Sequence, residues 1–213
     1  MDEKFVLKTI NNEKLILAEG VDDCNFLCSL LSKKRIDNIQ ISKFEGVNNL
    51  TNHLKAIKMV DGFDNVTSIL IFRDSENSTE SACQSVNSSL TRTAIITTDI
   101  TPFTINYQNN RKIGFALFPG FDENGILYKC GTIEQLCLRL FREKPAIEKV
   151  KTYIDDFQSK ADKFKKPHKN ELHAVFSFTD KFVGCKIGET ATKGGFDFDS
   201  PHLSPFLKMI KEM

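Results

Sequence analysis

The residues of this sequence best suited to chemistry are carboxylates that follow two strand-like segments. Glu19 comes directly after the aliphatic run Leu15–Ala18, and Asp74 and Glu76 come shortly after the longer apolar run Val66–Phe72. Functional groups collect at the carboxyl ends of parallel strands, so we expect the three carboxylates at one edge of a sheet. Asp74 and Glu76 are two residues apart, and in an extended segment side chains with that spacing point to the same side. The spacing therefore predicts three carboxylates within reach of one metal ion.

Mutual repulsion gives such a group of carboxylates a chemical consequence. Carboxylates that lie close together raise one another's pKa unless a cation neutralises them. Ligand sets made only of oxygen atoms favour Mg²⁺ or Mn²⁺ over zinc. The competing interpretation is that such acidic residues cap helices or lie on the surface. We predict capping for Asp22, and metal binding for Glu19, Asp74 and Glu76.

Strand and helix patterns alternate over the first half of the chain. The predicted strands are Lys4–Ile10, Leu15–Ala18, Ile39–Phe44, Val66–Phe72 and Lys112–Phe118. The predicted helices between them are Asp22–Lys34, Asn48–Met59 and Ser78–Leu90, and residues 91–112 are predicted to form a long loop or an irregular pair of strands. Strands separated by helices imply right-handed crossovers and a mainly parallel sheet flanked by helices. The predicted fold class is therefore α/β.

The last third of the sequence is predicted to be helical. Helical patterns span Thr132–Arg142, Pro145–Lys163, Asn170–Phe182 and Leu203–Lys211. We therefore predict an α/β core over residues 1–141 and a helical extension over residues 142–213, packed together as one compact unit. Residues 1–80 hold 10 basic and 13 acidic residues, whereas residues 142–186 hold 11 basic and 7 acidic ones. An acidic core beside a basic extension suits a metal-dependent enzyme with a polyanionic substrate, although a lysine-rich face is more commonly just solvated.

The overall composition excludes several classes of protein. The 213 residues are 40% hydrophobic and 27% charged, which excludes disordered, collagen-like and disulfide-scaffold chains. The N-terminus is charged and the sequence has no long apolar run, so we expect a cytoplasmic protein that does not contact a membrane. The six cysteines form no C-x-x-C pair, and neither a P-loop nor a G-x-G-x-x-G motif is present to bind ATP or a dinucleotide. The four histidines are predicted to be surface or capping residues.

The acidic motifs resemble those of the Toprim (topoisomerase-primase) family. The E-G-x-x-D sequence at 19–23 follows one predicted buried strand, and Asp74-Ser75-Glu76 follows a second. The similarity extends to small stand-alone Toprim proteins related to the Toprim part of OLD-type (overcoming lysogenization defect) nucleases. In those proteins a strand ending in proline precedes a Gly-x-[Leu/Ile]-Glu turn into a helix, which Phe118-Pro119 and Gly131-Thr132-Ile133-Glu134 match. The Asp-Ser-Glu form of the second motif, without a following glycine, argues against the ribosomal-RNA-maturing and recombination-type members.

The resemblance implies a Toprim-like sheet and a role for each acidic residue. Glu19 would act as general acid and base and would join Asp74 and Glu76 in holding Mg²⁺ or Mn²⁺. Asp23 would orient the site, and Glu134 together with Asp23 would hold a second ion. In this interpretation the metal polarises a phosphoryl oxygen and lowers the pKa of a bound water.

The implied function is metal-dependent hydrolysis of phosphodiester bonds in DNA or RNA, in phage defence or in nucleic-acid processing. Lys169 matches a family lysine that precedes a helix, and it would offset charge on the phosphate. We also assign nucleic-acid binding to Lys165, Lys166 and Lys169, in the basic extension. Because the chain lacks a phosphate-binding loop, any ATP hydrolysis would require a separate ATPase or defence-system partner.

Two other functions stay open at this point. A Toprim-derived module would bind nucleic acid or a nucleotide and regulate a partner protein without cutting, since an isolated Toprim domain has little substrate-binding surface. A receiver-like phospho-accepting domain also places acidic residues after two strands, with Mg²⁺ between them. Here, however, Asp22 and Asp23 lie past a glycine turn, and the chain is longer than such a domain.

Overall fold

The strands of this protein form one five-stranded sheet in a computed structural model that describes residues 4–46, 48–160 and 167–213. The strands are β1 (Lys14–Ala18), β2 (Ile39–Lys43), β3 (Ser68–Asp74), β4 (Ile105–Gln108) and β5 (Arg111–Phe118). Their order across the sheet is β2-β1-β3-β5-β4. The first four strands in this order pair in parallel, and β4 pairs with β5 in the antiparallel direction. The predicted α/β fold with a mainly parallel sheet is confirmed.

Helices cover both faces of the sheet. They are α1 (Val21–Lys34), α2 (Leu50–Ile57), α3 (Thr79–Arg92), α4 (Ile133–Leu140), α5 (Lys144–Lys160), α6 (Pro167–Ser177), α7 (Ile187–Thr192) and α8 (Ser204–Glu212), with short 3-10 helices at Phe63–Asn65 and Pro201–Leu203. Successive side chains of a strand point to opposite faces, and both faces of β3 are buried. Leu70 and Phe72 pack with the core on the α1 and α4 side, and Ile69 and Ile71 pack with the core on the α2 and α3 side.

Aromatic side chains join the C-terminal helices to the sheet. Phe206 of α8 is 1% exposed, and its ring centroid lies 5.4 Å from that of Phe118 in β5 and 6.2 Å from that of Phe72 in β3. Phe26 of α1 meets Phe196, which follows α7, with 5.8 Å between ring centroids. The helices after residue 141 therefore share one hydrophobic core with the sheet.

The structure differs from the sequence predictions in two segments. Lys4–Ile10 is not a strand, because Phe5 adopts a left-handed backbone with φ of 70°. The segment still lies against β2, since the Phe5 carbonyl accepts a hydrogen bond from the Lys43 amide. The helix α7 forms where no helix was predicted. Residues 91–112, predicted as a long loop or an irregular pair of strands, contain β4, which pairs with β5. Among the described residues, no helix combines the length and the apolar character needed to cross a membrane.

Candidate active site

Four carboxylates come together where β1 and β3 end. Asp74 is the last residue of β3, and Glu19 directly follows β1, its parallel neighbour. Asp23 lies in the first turn of α1 and Glu134 in the first turn of α4. The start of α4 is held against β3 because the Ile133 amide donates a hydrogen bond of 2.8 Å to Oδ1 of Asp74. We call Glu19, Asp23, Asp74 and Glu134 the acidic cluster.

Local structure at the start of α1 buries Asp23. The Gly20 amide donates a hydrogen bond of 2.8 Å to Oδ2 of Asp23, which closes the first turn of the helix. The Asp23 side chain thereby faces inward, and the residue is only 8% exposed. Burial, with the negative charges of Glu19 and Glu134 adding to it, raises the pKa of Asp23 from its usual 3.8 to about 7. The hydrogen bond from Gly20 opposes this shift without cancelling it.

The pKa of Asp74 is affected by burial and by the neighbouring charges in the same way. Burial raises its pKa well above the usual value, and the charges of Asp23, Glu134 and Glu19 raise it further. The hydrogen bond from the Ile133 amide works in the opposite direction. Asp23 and Asp74 are thus close enough to each other, and to both glutamates, for these charges to affect the pKa of each aspartate. The sequence prediction that acidic residues converge at one sheet edge agrees with this arrangement for Glu19 and Asp74.

Glu76 lies in a different environment. Its amide and its carbonyl pair with the carbonyl and the amide of Gly131, both at 2.8 Å, which ties the turn after β3 to the turn before α4. Its backbone is left-handed, with φ of 51°, and the residue is exposed. We predicted an extended segment that would point Asp74 and Glu76 to one side, but the left-handed turn interrupts that extension. Metal binding by Glu76 remains a prediction.

The chemistry of the acidic cluster suits a hard divalent cation. It offers only carboxylate oxygens, as Mg²⁺ and Mn²⁺ prefer. A bound cation would also relieve the repulsion that raises the pKa of Asp23 and Asp74. Within the described parts of the chain, no three His, Cys, Asp or Glu side chains are arranged to hold a metal ion as they stand. Coordination by the cluster would therefore require side-chain rotation.

The basic extension reaches this region through α6. His168, in its first turn, lies with Nε2 at 2.8 Å from Nε2 of Gln135, the neighbour of Glu134. The Gln135 Oε1 atom accepts a hydrogen bond from the Thr132 amide, so its Nε2 donates and the imidazole Nε2 accepts. Lys169 is the next residue and is exposed. The sequence analysis predicts a surface or capping role for His168. It could not predict this contact, because a contact across 33 residues leaves no local pattern.

Two of the predicted nucleic-acid-binding residues, Lys165 and Lys166, lie outside the described residues. The pairing of Gln135 with His168 places the start of α6, which includes Lys169, beside the start of α4, which bears Glu134. The predicted role of Lys169, to offset charge on a phosphate, stays a prediction.

Comparison with known proteins adds one finding. Residues 13–213 match the sequence model of a family described as "Protein of unknown function (DUF3226)". The chain belongs to this family. The DUF3226 match runs from the residue before β1 through α8, so it includes both the acidic cluster and the C-terminal helices. No curated protein and no solved structure matches the chain.

Gly131 is a position where this DUF3226 protein needs glycine. Its φ is +137°, and a Cβ atom there would lie 2.7 Å from Cδ of Pro119 and would overlap Oε1 of Gln135. We expect Gly131→Ala to lower the free energy of unfolding by about 1–3 kcal/mol, measured by urea denaturation. Gly125→Ala is the matched control, because Gly125 also has a positive φ but a Cβ there meets nothing within 4 Å. Equal losses in the two variants would show that the contacts around Gly131 contribute nothing.

Proposed function

We propose that this protein is a metal-dependent phosphodiester hydrolase of Toprim type that acts on nucleic acid. The observation that carries the proposal is the acidic cluster, in which carboxylates from two strand ends and two helix starts lie together, and burial and the neighbouring charges raise the pKa of Asp23 and Asp74. Maintaining such repulsion costs stability, so a cluster of this kind normally serves a cation or a reaction. The order of the acidic motifs along the chain, which resembles that of the Toprim family, supports the same reading.

The residues take the following roles in this proposal. Asp74, Glu134 and Glu19 would hold Mg²⁺ or Mn²⁺, with Glu76 as a further ligand, and the bound ion would polarise the phosphoryl oxygen and acidify a water. Glu19 would also accept and donate the proton of the attacking water. Asp23, fixed by the Gly20 amide, would orient the neighbouring carboxylates.

In this proposal, lysines of the basic extension bind the substrate. Lys169, one residue from the contact between α6 and α4, would offset negative charge on the phosphate. Lys165 and Lys166 would add to nucleic-acid binding. We place the protein in the cytoplasm, with a separate ATPase or defence-system protein as its partner for any ATP-dependent step.

A second candidate is a binding module that recognises nucleic acid or a nucleotide without cutting it. It is favoured by the arrangement of the described side chains, no three of which form a metal-holding group as they stand. A receiver-like signalling domain has less support, because the antiparallel β4 differs from the all-parallel 2-1-3-4-5 sheet of that class.

Cleavage assays with matched variants test the proposal. The purified protein is incubated with plasmid, single-stranded DNA and RNA in Mg²⁺, Mn²⁺ or EDTA, beside Glu19→Gln and Asp74→Asn. We expect metal-dependent cleavage that falls about 100-fold or more in both variants, whereas Asp64→Asn, an exposed change in a 3-10 helix, leaves the rate unchanged. Cleavage that persists in EDTA or in both variants would contradict the proposal. Binding without cleavage under every condition would favour the binding module.

A further inference from the structure

A positively charged cavity lies beside the acidic cluster's end of the sheet. It has a volume of about 440 Å³ and is bordered by the end of α4, the start of α5 and the 3-10 helix Pro201–Leu203. Its cationic side chains are Arg139, Arg142 and Lys144, and His202 also lines it. Among the described residues that line the cavity, Asp197 supplies the carboxylate. The charges therefore sum to an excess of positive charge even with His202 neutral.

The cations of the cavity donate mainly to uncharged carbonyl groups, while the charges of Asp122 and Glu123 also act on Arg139 and that of Asp199 acts on Arg142. The guanidinium of Arg139 donates to the carbonyl oxygens of Pro119 and Phe121, at 2.6 and 2.7 Å. Lys144 donates through Nζ to the Arg139 carbonyl at 2.6 Å. Carbonyl groups satisfy donors but carry no net charge. Arg142 meets the carboxylate of Asp197 at 3.2 Å in a half-exposed pair, and the charge of Asp197 also acts on Lys144.

The pKa of His202 depends on the cations that line the cavity. Burial lowers the pKa of its imidazole, and the charges of Arg139 and Lys144 lower it further, while Glu123 acts in the opposite direction. An imidazole next to cations resists protonation. An anion bound between these cations would cancel their effect and raise the pKa of His202.

The position of the cavity relates it to the acidic cluster. Arg139 holds the carbonyl of Pro119, which follows β5 directly. In the sheet, Phe118 of β5 pairs in register with Asp74 of β3. The cavity and the acidic cluster thus lie at the same edge of the sheet, at the ends of adjacent strands.

We propose that this cavity binds a phosphate group, and that the group belongs to a nucleic-acid strand held at the acidic cluster. The identity of the source rests on the proposed function, whereas binding of the phosphate itself does not. Guanidinium and ammonium groups are the side chains that best bind phosphate. A volume of about 440 Å³ is within the range of small-ligand sites. A phosphate seated there would fix the strand and position a neighbouring phosphodiester bond.

The test follows the imidazole signal of His202 by NMR in EDTA, so that it does not depend on cleavage. The His202→Asn variant identifies the signal among the four histidines. Inorganic phosphate, and then a short single-stranded DNA, are titrated at constant ionic strength set by sodium chloride. We expect each to raise the pKa of His202 and to saturate.

Variants of the cations give the matched comparison. Lys144→Gln and Arg142→Gln should each weaken binding by about tenfold, judged from the ligand concentration at half-saturation, since each substitution also shifts the starting pKa. Lys55→Gln is the control, because Lys55 is exposed on α2, which packs on the other face of the sheet. It should leave both titrations unchanged.

Each outcome bears on a separate part of the inference. The absence of a saturating change with either ligand would overturn it, as would equal weakening by all three substitutions. Saturation by phosphate but not by DNA would support the phosphate site and overturn nucleic acid as its source. Saturation by both ligands in a protein that never cleaves would uphold the site while the hydrolase proposal fails.

Discussion

Replacing Asp23 with Asn is expected to stabilise the protein above neutral pH, by up to about 4 kcal/mol. In the folded state the pKa of Asp23 is about 7, whereas in the unfolded chain it returns to about its usual 3.8. Between these two values the folded protein holds a proton that the unfolded chain has lost. This contribution to stability is complete below the unfolded pKa and is lost as the pH rises through the folded pKa. Asn keeps an oxygen that accepts the hydrogen bond from the Gly20 amide, and it carries no charge. The variant therefore does not lose stability as the pH rises.

Urea denaturation between about pH 4 and pH 8 measures this effect as a difference between variant and native protein. The difference should be small near pH 4 and should grow up to about pH 7. Asp64→Asn serves as a control, because Asp64 is exposed in the 3-10 helix Phe63–Asn65. A difference that stays constant with pH would show that Asp23 titrates alike in the folded and unfolded states.

Under the proposed function, divalent cations should restore the stability that the folded protein loses when Asp23 becomes charged. Mg²⁺ or Mn²⁺ bound at the acidic cluster would neutralise the charges that repel Asp23 and Asp74. The midpoint of thermal unfolding at about pH 8 should therefore rise with the cation in the native protein, since a ligand of the folded state stabilises it. Asp74→Asn, which removes a proposed ligand, should reduce that rise.

Replacing Phe206 with Ala is expected to lower the free energy of unfolding by about 3–5 kcal/mol. Phe206 is 1% exposed, and its ring also lies against Phe103, with 5.2 Å between centroids. Removing the ring would leave a cavity between α8 and the ends of β3 and β5, where Phe72 and Phe118 lie. The loss is large because the partners of Phe206 belong to separate elements that cannot all collapse into the space.

Urea denaturation of Phe206→Ala and of Phe178→Ala separates core packing from general hydrophobicity. Phe178 is 64% exposed, so its removal should cost less than about 0.5 kcal/mol. Similar losses in the two variants would contradict the packing described for α8. An unchanged slope of free energy against urea would show that both variants unfold the same amount of surface.

The fold was predictable from sequence where the pattern was local. The apolar runs before Glu19 and Asp74 do form central parallel strands, because burial on both faces demands continuous hydrophobic sequence. The segment Lys4–Ile10 has the composition of a strand, but a left-handed residue breaks it. The helix α7, with the sequence IGETAT, has neither strong propensity nor clear periodicity, and it forms through packing on α1.

The candidate site was predictable only in part, because some of its contacts depend on turns and on residues far apart in sequence. Strand ends meet at one edge in any parallel sheet, so Glu19 and Asp74 could be assigned to one place from their position alone. The direction of Glu76 depends on one backbone torsion in a turn, which composition does not reveal. The contacts of His168 and Arg139 join residues far apart in sequence, and without tertiary structure such contacts leave no pattern.

The packing of α1 against α7 has a consequence for the order in which the protein is made. The helix that bears Asp23 is held by residues synthesised much later, since the Gly188 amide reaches Oδ1 of Asp22 at 3.3 Å and Lys34 pairs with Asp199 at 2.6 Å. A chain emerging from the ribosome can therefore form β1 and α1 early but cannot complete their packing until residues 188–199 have left the exit tunnel.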